Sequence, residues 1–311
     1  MPTSTPVSAS ATEPRDPVAS AAWRAGGRAR MRLARLWRSR YTIAGLGILT
    51  ALIVLAVFAD QIAPYGPNRM RPTERLQRPS STHLFGTDDL GRDILSRTVF
   101  GARLTLTIGA VVVPVSLLLG VPLGVAAGYY PRLDAPIMRI VDGLMAFPAV
   151  LFAITLMAAL GPSVANVIIA LSLAYAPSAA RLARGSTLAV QAMVYVEAAR
   201  ALGARDRHLI LRHVLPNIFA PLLVLASFTF AVSVLTEAIL SFLGAGAPPS
   251  VASWGTMVAE GRNFIQAAPW LMFFPGGCIA VVVMGLNLLG DGLRDLLDPR
   301  LRGGFSGSGL S

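Results

Sequence analysis

The stretch GLMAFPAVLFAITLMAALGPSVANVIIALSLAYAPSAA, from Gly143 to Ala180, contains no charged residue. An α-helix rises about 1.5 Å per residue and needs about 20 apolar residues to cross the ~30 Å hydrocarbon core of a bilayer. The stretch is about twice that length, and Gly161-Pro162-Ser163 near its middle is a turn signal. It therefore predicts two membrane-spanning helices joined at Gly161.

The same test applied outward finds four more spans. One runs from Tyr41 to Ala59, bounded by Arg40 and Asp60, and another from Leu104 to Pro131, between Arg103 and Arg132. A further span starts near Asn217, after Pro216, and reaches Leu243 with Glu237 as its single charge. The last occupies the second half of the uncharged run Asn263 to Gly290, beginning near Pro269, where a first-turn proline is tolerated. The expectation is an all-α membrane protein of six transmembrane helices.

Composition agrees with that reading. Of 311 residues, 54% are hydrophobic and 14% charged, and the mean hydropathy is +0.61. Those values argue against a cytosolic, secreted or disordered chain. A lone cysteine, Cys278, excludes an internal disulfide framework and a cysteine-based metal cluster. The net charge of +11 comes from 27 basic residues, all of them arginine. It is compatible with nucleic acid, anionic lipid or a topology signal, so arginine placement decides.

With a cytoplasmic N-terminus, the inside segments are 1–40, 129–142, 181–217 and the tail from Asp291, holding 8, 2, 6 and 3 arginines. The outside segments 60–103, the Gly161 turn and 244–267 hold 7, 0 and 1. Nineteen against eight places both termini inside. It also leaves nucleic-acid binding without support. In the first outside segment Asp60, Glu74, Asp88, Asp89 and Asp93 offset most of the arginine charge. Residues 2–20, rich in Ser, Thr, Pro and Ala, have no apolar period and are expected to be disordered. From Trp23 to Arg40, arginines alternate with Trp23, Met31, Leu33, Leu36 and Trp37, a pattern suited to an anionic membrane surface or to a topology signal alone. The run beginning at Tyr41 is long enough to span and lacks a small-residue cleavage pattern behind it, so it reads as a retained span.

The longest predicted cytoplasmic connection between spans, 181–217, carries the strongest motif. Val194 to Leu202 contains good helix formers and Gly203 stands as a C-terminal stop. Asp206 is placed to start a second short helix reaching Leu215. Ala198, Ala199 and Ala201 would give the resulting knob a small-residue surface, rimmed by Glu197 and arginines. The pattern Glu197-Ala198-Ala199, then Gly203, then Leu215-Pro216 resembles the cytoplasmic signature loop of membrane subunits of binding-protein-dependent ABC importers. His213 stands where the general pattern favours isoleucine, and a histidine followed by Val-Leu-Pro-Asn resembles the peptide-importer branch.

Two further segments narrow the resemblance to the C-type permease subunit of dipeptide and oligopeptide importers. They are residues 84–104, LFGTDDLGRDILSRTVFGARL, and Glu237 to Gly244 with the following Pro248-Pro249 and Trp254-Gly255. Gly290 to Arg300 is similar as well, and the resemblance covers roughly residues 40–302. It implies a type I importer fold in a bacterial cytoplasmic (inner) membrane, with four parts: an arginine-rich tail at 1–40, a first helix and extracytoplasmic segment at 41–100, a permease domain at 101–290, and a tail at 291–311. It implies a second, homologous permease chain, two ATPase subunits that bind ATP and magnesium, and an extracytoplasmic binding protein. It also implies a role for Glu197, Ala198, Ala199, Gly203, Leu215 and Pro216 in coupling to an ATPase. No catalytic site or cofactor is expected in this chain. Nickel complexes, haem or other small solutes remain open as cargo beside peptides.

Individual residues carry weaker signals. Glu237, an acid inside a span, lines a pathway or gate or else makes a structural hydrogen bond. Gly120, Gly124 and Gly128 share one helix face and suit close packing, either within the chain or against the second permease. Pro114, Pro122, Pro148 and Pro275 mark candidate bends. His83, His208 and His213 are scattered without metal-ligand spacing. With no lysine the chain has no phosphate-binding loop of the Walker type, and no nucleophile stands at a recognisable spacing from a histidine. A secondary transporter should carry paired acids or a proton relay within the bundle, and Glu237 alone does not supply one.

Overall fold

The computed structural model describes residues 40–297. The tail readings for residues 2–20 and 23–39 lie outside the described residues, as does the C-terminal tail from Asp298 onward. Helix α1 spans Arg40–Val57 and a short α2 Ala59–Ile62. An irregular segment, 63–93, then leads to α3, Ile94–Tyr129. There follow α4, Pro131–Met145; α5, Ala149–Leu160; and α6, Val164–Gln191. After them come α7, Val194–Ala201; α8, Asp206–Leu209; and α9, Leu215–Phe242. The last two are α10, Trp254–Gly261, and α11, Trp270–Leu297. The helical membrane fold matches the expectation from hydropathy, and the turn at Gly161 falls where expected, with Gly161 at φ +82°.

The spans differ from the uncharged runs wherever a charge finds a partner. Helix α3 begins ten residues before Leu104 because Asp93 caps it, its carboxylate accepting from the Ser96 amide at 2.8 Å. The arginines inside this early portion are paired, Arg103 with Asp60 at 2.9 Å and Arg97 with Glu260 at 3.3 Å. Helix α6 likewise continues past Ala180 to Gln191. There Arg184 forks onto Asp134 of α4 at 2.5 and 2.6 Å and Arg181 reaches Asp142 at 2.5 Å. Residues 181–191 of the expected loop are therefore helix.

Five helical stretches are long and apolar enough to cross a membrane, and the expected count of six is reached only when the bent pair α4 and α5, with 85° between its halves, is taken as one span. Helix α5, at 12 residues, is only ~18 Å long, too short to span alone. The break falls at Pro148, which supplies no amide hydrogen and disfavours helix in the residue before it. Pro114 and Pro122 lie inside the continuous α3, and Pro275 inside α11.

Packing follows small residues. On α3, Gly120, Gly124 and Gly128 face α6 of the same chain. A Cβ at each would stand 2.7 Å from Ala179 Cβ, 2.7 Å from Ala183 Cβ and 2.8 Å from Thr187 Cβ. Helices α1 and α11 meet in the same way, with Gly45 against Leu289 and Gly285 against Ile48. The meeting of Thr42 with Gly292 marks one end of the bundle, and that of Gly101 with Trp254 the other. Tyr129, Gln191 and Asp206 share an end with Arg40; Ile94, Phe242 and Trp270 share the opposite one with segment 63–93.

Candidate functional site

At the Arg40 end, the chain leaves α6 at Gln191 and re-enters the bundle through α8. Between them α7 forms a small, fixed protrusion. Its stop is a Schellman turn: the Gly203 amide donates to the Arg200 carbonyl at 3.0 Å and the Ala204 amide to the Ala199 carbonyl at 3.1 Å. Such a turn needs a residue with positive φ, and Gly203 sits at +85°. The underside of the protrusion is apolar. Val196, Leu209 and Val214 are fully buried against Val125, Tyr129 and Val190 of α3 and α6.

Polar ties fix it in place. The Tyr129 hydroxyl donates to Asp206 at 2.9 Å. Arg200 donates to Gln191 at 3.0 Å, and Gln191 in turn donates to the Gly128 carbonyl at 2.6 Å. What remains outward is an acid flanked by apolar residues. Glu197, Ala198 and Ala201 are exposed, and Val194 and Leu202 are 81% and 88% exposed. Val194 and Leu202 thus stand outward at the two ends of α7. Beside it opens a cleft lined by Arg205, Arg207, His208, Leu211, Arg212 and Pro216.

The second short helix differs from expectation. Helix α8 does not stop at Leu215 but passes through a π-helical turn, Ile210–Val214, straight into α9. The wider turn accommodates Pro216, whose missing amide hydrogen falls in the first turn of α9. Glu197, Ala198, Ala199 and Gly203 are thus gathered on the protrusion, whereas Leu215 and Pro216 belong to the stem of the long helix α9.

Glu237 lies near the opposite end and is 2% exposed. Its Oε1 accepts from the Ser241 hydroxyl at 2.7 Å and from the Ser253 hydroxyl at 2.9 Å. The carboxylate thereby ties α9 to the residue that precedes α10. Sequence reasoning missed the larger polar network at this end. Arg97, fully buried, and Arg92 both donate to Glu260 of α10, at 3.3 and 2.9 Å. His83 bridges Asp93 at 2.9 Å and Glu74 at 3.2 Å. Spacing exposes only its local pairs, Asp88 with Arg92 and Arg71 with Glu74, since Glu260 is 168 residues from Arg92. Among the described residues no group of three or more His, Cys, Asp or Glu is arranged to hold a metal ion, and His208 and His213 meet edge to face with ring centroids 5.7 Å apart.

A family model described as the inner membrane component of binding-protein-dependent transport systems matches residues 120–303, more than half of the chain. The chain belongs to that permease family. A second model, the N-terminal transmembrane domain of oligopeptide transport permease C, matches residues 28–79 of this permease. A chain of Brucella suis is 49% identical over 268 residues, 86% of this permease and 90% of the relative. The dipeptide transport system permease protein DppC of Alkalihalophilus pseudofirmus is 43% identical over 269 residues, 86% of this permease and 88% of the relative. An inward-facing structure of the MetNI methionine ABC transporter superposes with a TM-score of 0.55 at 20% identity, covering 65% of this permease and 97% of that chain, a likeness of fold.

The family assigns the permease to the inner membrane as a multi-pass component of an ABC transporter that also contains ATPase and binding-protein parts. It sets aside the secondary-transporter reading. Nucleotide chemistry belongs to the ATPase component, and the permease is the transport subunit, not an enzyme.

Proposed function

We propose that this permease forms half of the translocation pathway of a peptide importer, paired with a second, homologous permease and driven by two ATPase subunits through α7. The observation that carries the reading is the exposed face of α7, with Glu197 and Leu202 outward and Val196 locked beneath. A helix so anchored transmits a push from a docked ATPase to α3, α6 and α9 as one body. Glu197, Ala198, Ala199 and Gly203 form its contact and stop, and Leu215 and Pro216 begin the stem that carries the movement into the bundle. The Arg40 end then faces the cytoplasm, in keeping with its arginine excess. Of the four-part division, the 41–100 part keeps the first helix and the extracytoplasmic segment, while its boundaries at 100 and 290 fall inside α3 and α11.

Peptide as cargo is supported by the oligopeptide permease model over residues 28–79 and by the dipeptide permease at 43% identity. Mass spectrometry of ligand carried by the partner binding protein tests it: a di- or oligopeptide is expected, and a nickel complex or haem overturns it. For coupling, Glu197→Lys and Gly203→Pro are expected to abolish uptake and stimulated ATP hydrolysis while the complex still assembles. Survival of both activities in both variants overturns the assignment.

A further inference from the structure

The root of α9 gathers positive charge without a counter-charge. Arg205, Arg207 and Arg212 line one cleft of about 500 Å³ together with His208, Leu211 and Pro216, and no carboxylate lines it. All three arginines are exposed, and none of them forms an ion pair among the described residues. Asp206, the acid between the first two, accepts instead from the Tyr129 hydroxyl at 2.9 Å. Like charges held around one opening repel one another, and an anion seated between them relieves that repulsion.

The helix fixes the depth of the cleft in the bilayer. Residues 214–236 of this crossing carry no charge. They rise about 34 Å at ~1.5 Å per residue, close to the ~30 Å of the hydrocarbon core, so Arg212 stands at headgroup level. Beyond it, Phe219 and Leu223 follow Pro216 at spacings of three and four along one face of α9, 64% and 37% exposed. In the π turn the Leu215 amide donates to the Ile210 carbonyl five residues back, and the same wider turn brings Leu211 onto the line of Pro216. One face of the helix therefore presents arginine first and hydrocarbon after it.

We propose that this cleft binds the phosphate of an anionic phospholipid, one of whose acyl chains runs along Phe219 and Leu223. Guanidinium groups hold phosphate oxygens through charge-assisted hydrogen bonds, and basic pockets beside membrane-crossing helices take lipid headgroups. An acidic protein surface answers the arginines but not the apolar line that continues from them. An anionic phospholipid matches both, in the order in which they occur. The site goes beyond the coupling role of α7 and does not depend on it.

The test titrates the purified full-length chain in detergent with phosphatidylglycerol, with phosphatidylcholine of the same acyl chains, and with inorganic phosphate, counting adducts by native mass spectrometry. Phosphatidylglycerol should bind roughly a hundredfold more tightly than phosphatidylcholine, about fivefold for each arginine. R205Q/R207Q/R212Q should erase that preference, and R205K/R207K/R212K, which keeps the charge, should retain it. R75Q/R78Q, which removes exposed charge from segment 63–93 at the opposite end, should also retain it. Equal binding of the two lipids to the wild type, or equal loss in R205Q/R207Q/R212Q and R75Q/R78Q, overturns the proposal. So does inorganic phosphate binding as tightly as phosphatidylglycerol, which makes the ligand a free ion. Loss of the lipid from the assembled transporter when the ATPase subunits are bound overturns it too, since the cleft is then part of a protein interface.

Discussion

The Tyr129 hydroxyl, at the last residue of α3, donates to the Asp206 carboxylate across 77 residues of sequence at 2.9 Å. It joins the second long helix to the first residue of α8 and braces α7 beside its Gln191 tie, since the Arg200 guanidinium that donates to Gln191 also lies 5.8 Å from the Tyr129 ring centroid. Tyr129→Phe keeps the ring and removes the donor. A hydrogen bond to a charged group contributes about 1.5–3 kcal/mol, so amide exchange across 194–209 should quicken at least several-fold while exchange in α9 stays unchanged. Unaltered exchange in α7 would show that the brace carries no load.

Gly203→Ala asks a side chain to adopt φ +85°. The left-handed conformation costs about 1–2 kcal/mol for a residue with a Cβ. The melting temperature of the purified permease should fall, and coupled ATP hydrolysis should drop with it. Gly185→Ala is the matched control. Gly185 lies within α6, and a Cβ there meets nothing within 4 Å, so stability should hold or rise slightly.

At Glu237 the acceptor, not the charge, carries the geometry. Glu237→Gln retains an oxygen for Ser241 and Ser253, and its stability should stay near that of the wild type. Glu237→Leu leaves two buried hydroxyls without their acceptor, at about 1–3 kcal/mol for an unsatisfied group. The comparison is read by thermal unfolding. Equal melting of the two variants would contradict a structural tie between α9 and Ser253.

Gly124 on α3 offers a packing test. A Cβ there would stand 2.7 Å from Ala183 Cβ, with the Ala180 carbonyl oxygen of α6 closer still. Gly124→Val should separate α3 from α6 and cost about 1–3 kcal/mol or more, seen as lower yield of folded protein in detergent. Gly143→Ala, in open space, should behave as the wild type.

Glu74 gives a pH dependence. Desolvation pushes its carboxyl upward, but hydrogen bonds and charge from Arg71 and His83 together outweigh this and hold it below the usual carboxylate range. A carboxyl lowered on folding contributes stability that is present above its ordinary value and disappears as pH falls through the lowered one. Limited proteolysis within 63–93 should therefore accelerate only at acid pH below the ordinary glutamate range, and Glu74→Gln should remove that step.

Membrane insertion, the position of most crossings and the loop that carries the signature are all legible in the order of the residues. Those features are local: charge-free runs of sufficient length, and Glu197, Ala198, Ala199 and Gly203 within seven residues of one another. How the crossings end is a matter of packing. Arg181 and Arg184 look like loop residues until Asp142 and Asp134 are found beside them, and an ion pair lets a helix continue where hydropathy would stop it. Packing also bends α4 against α5 by 85°, turns Gly120, Gly124 and Gly128 toward α6 of the same chain, and shares Glu237 between two serines. Each depends on a neighbour brought close in space, which no spacing along the chain reveals.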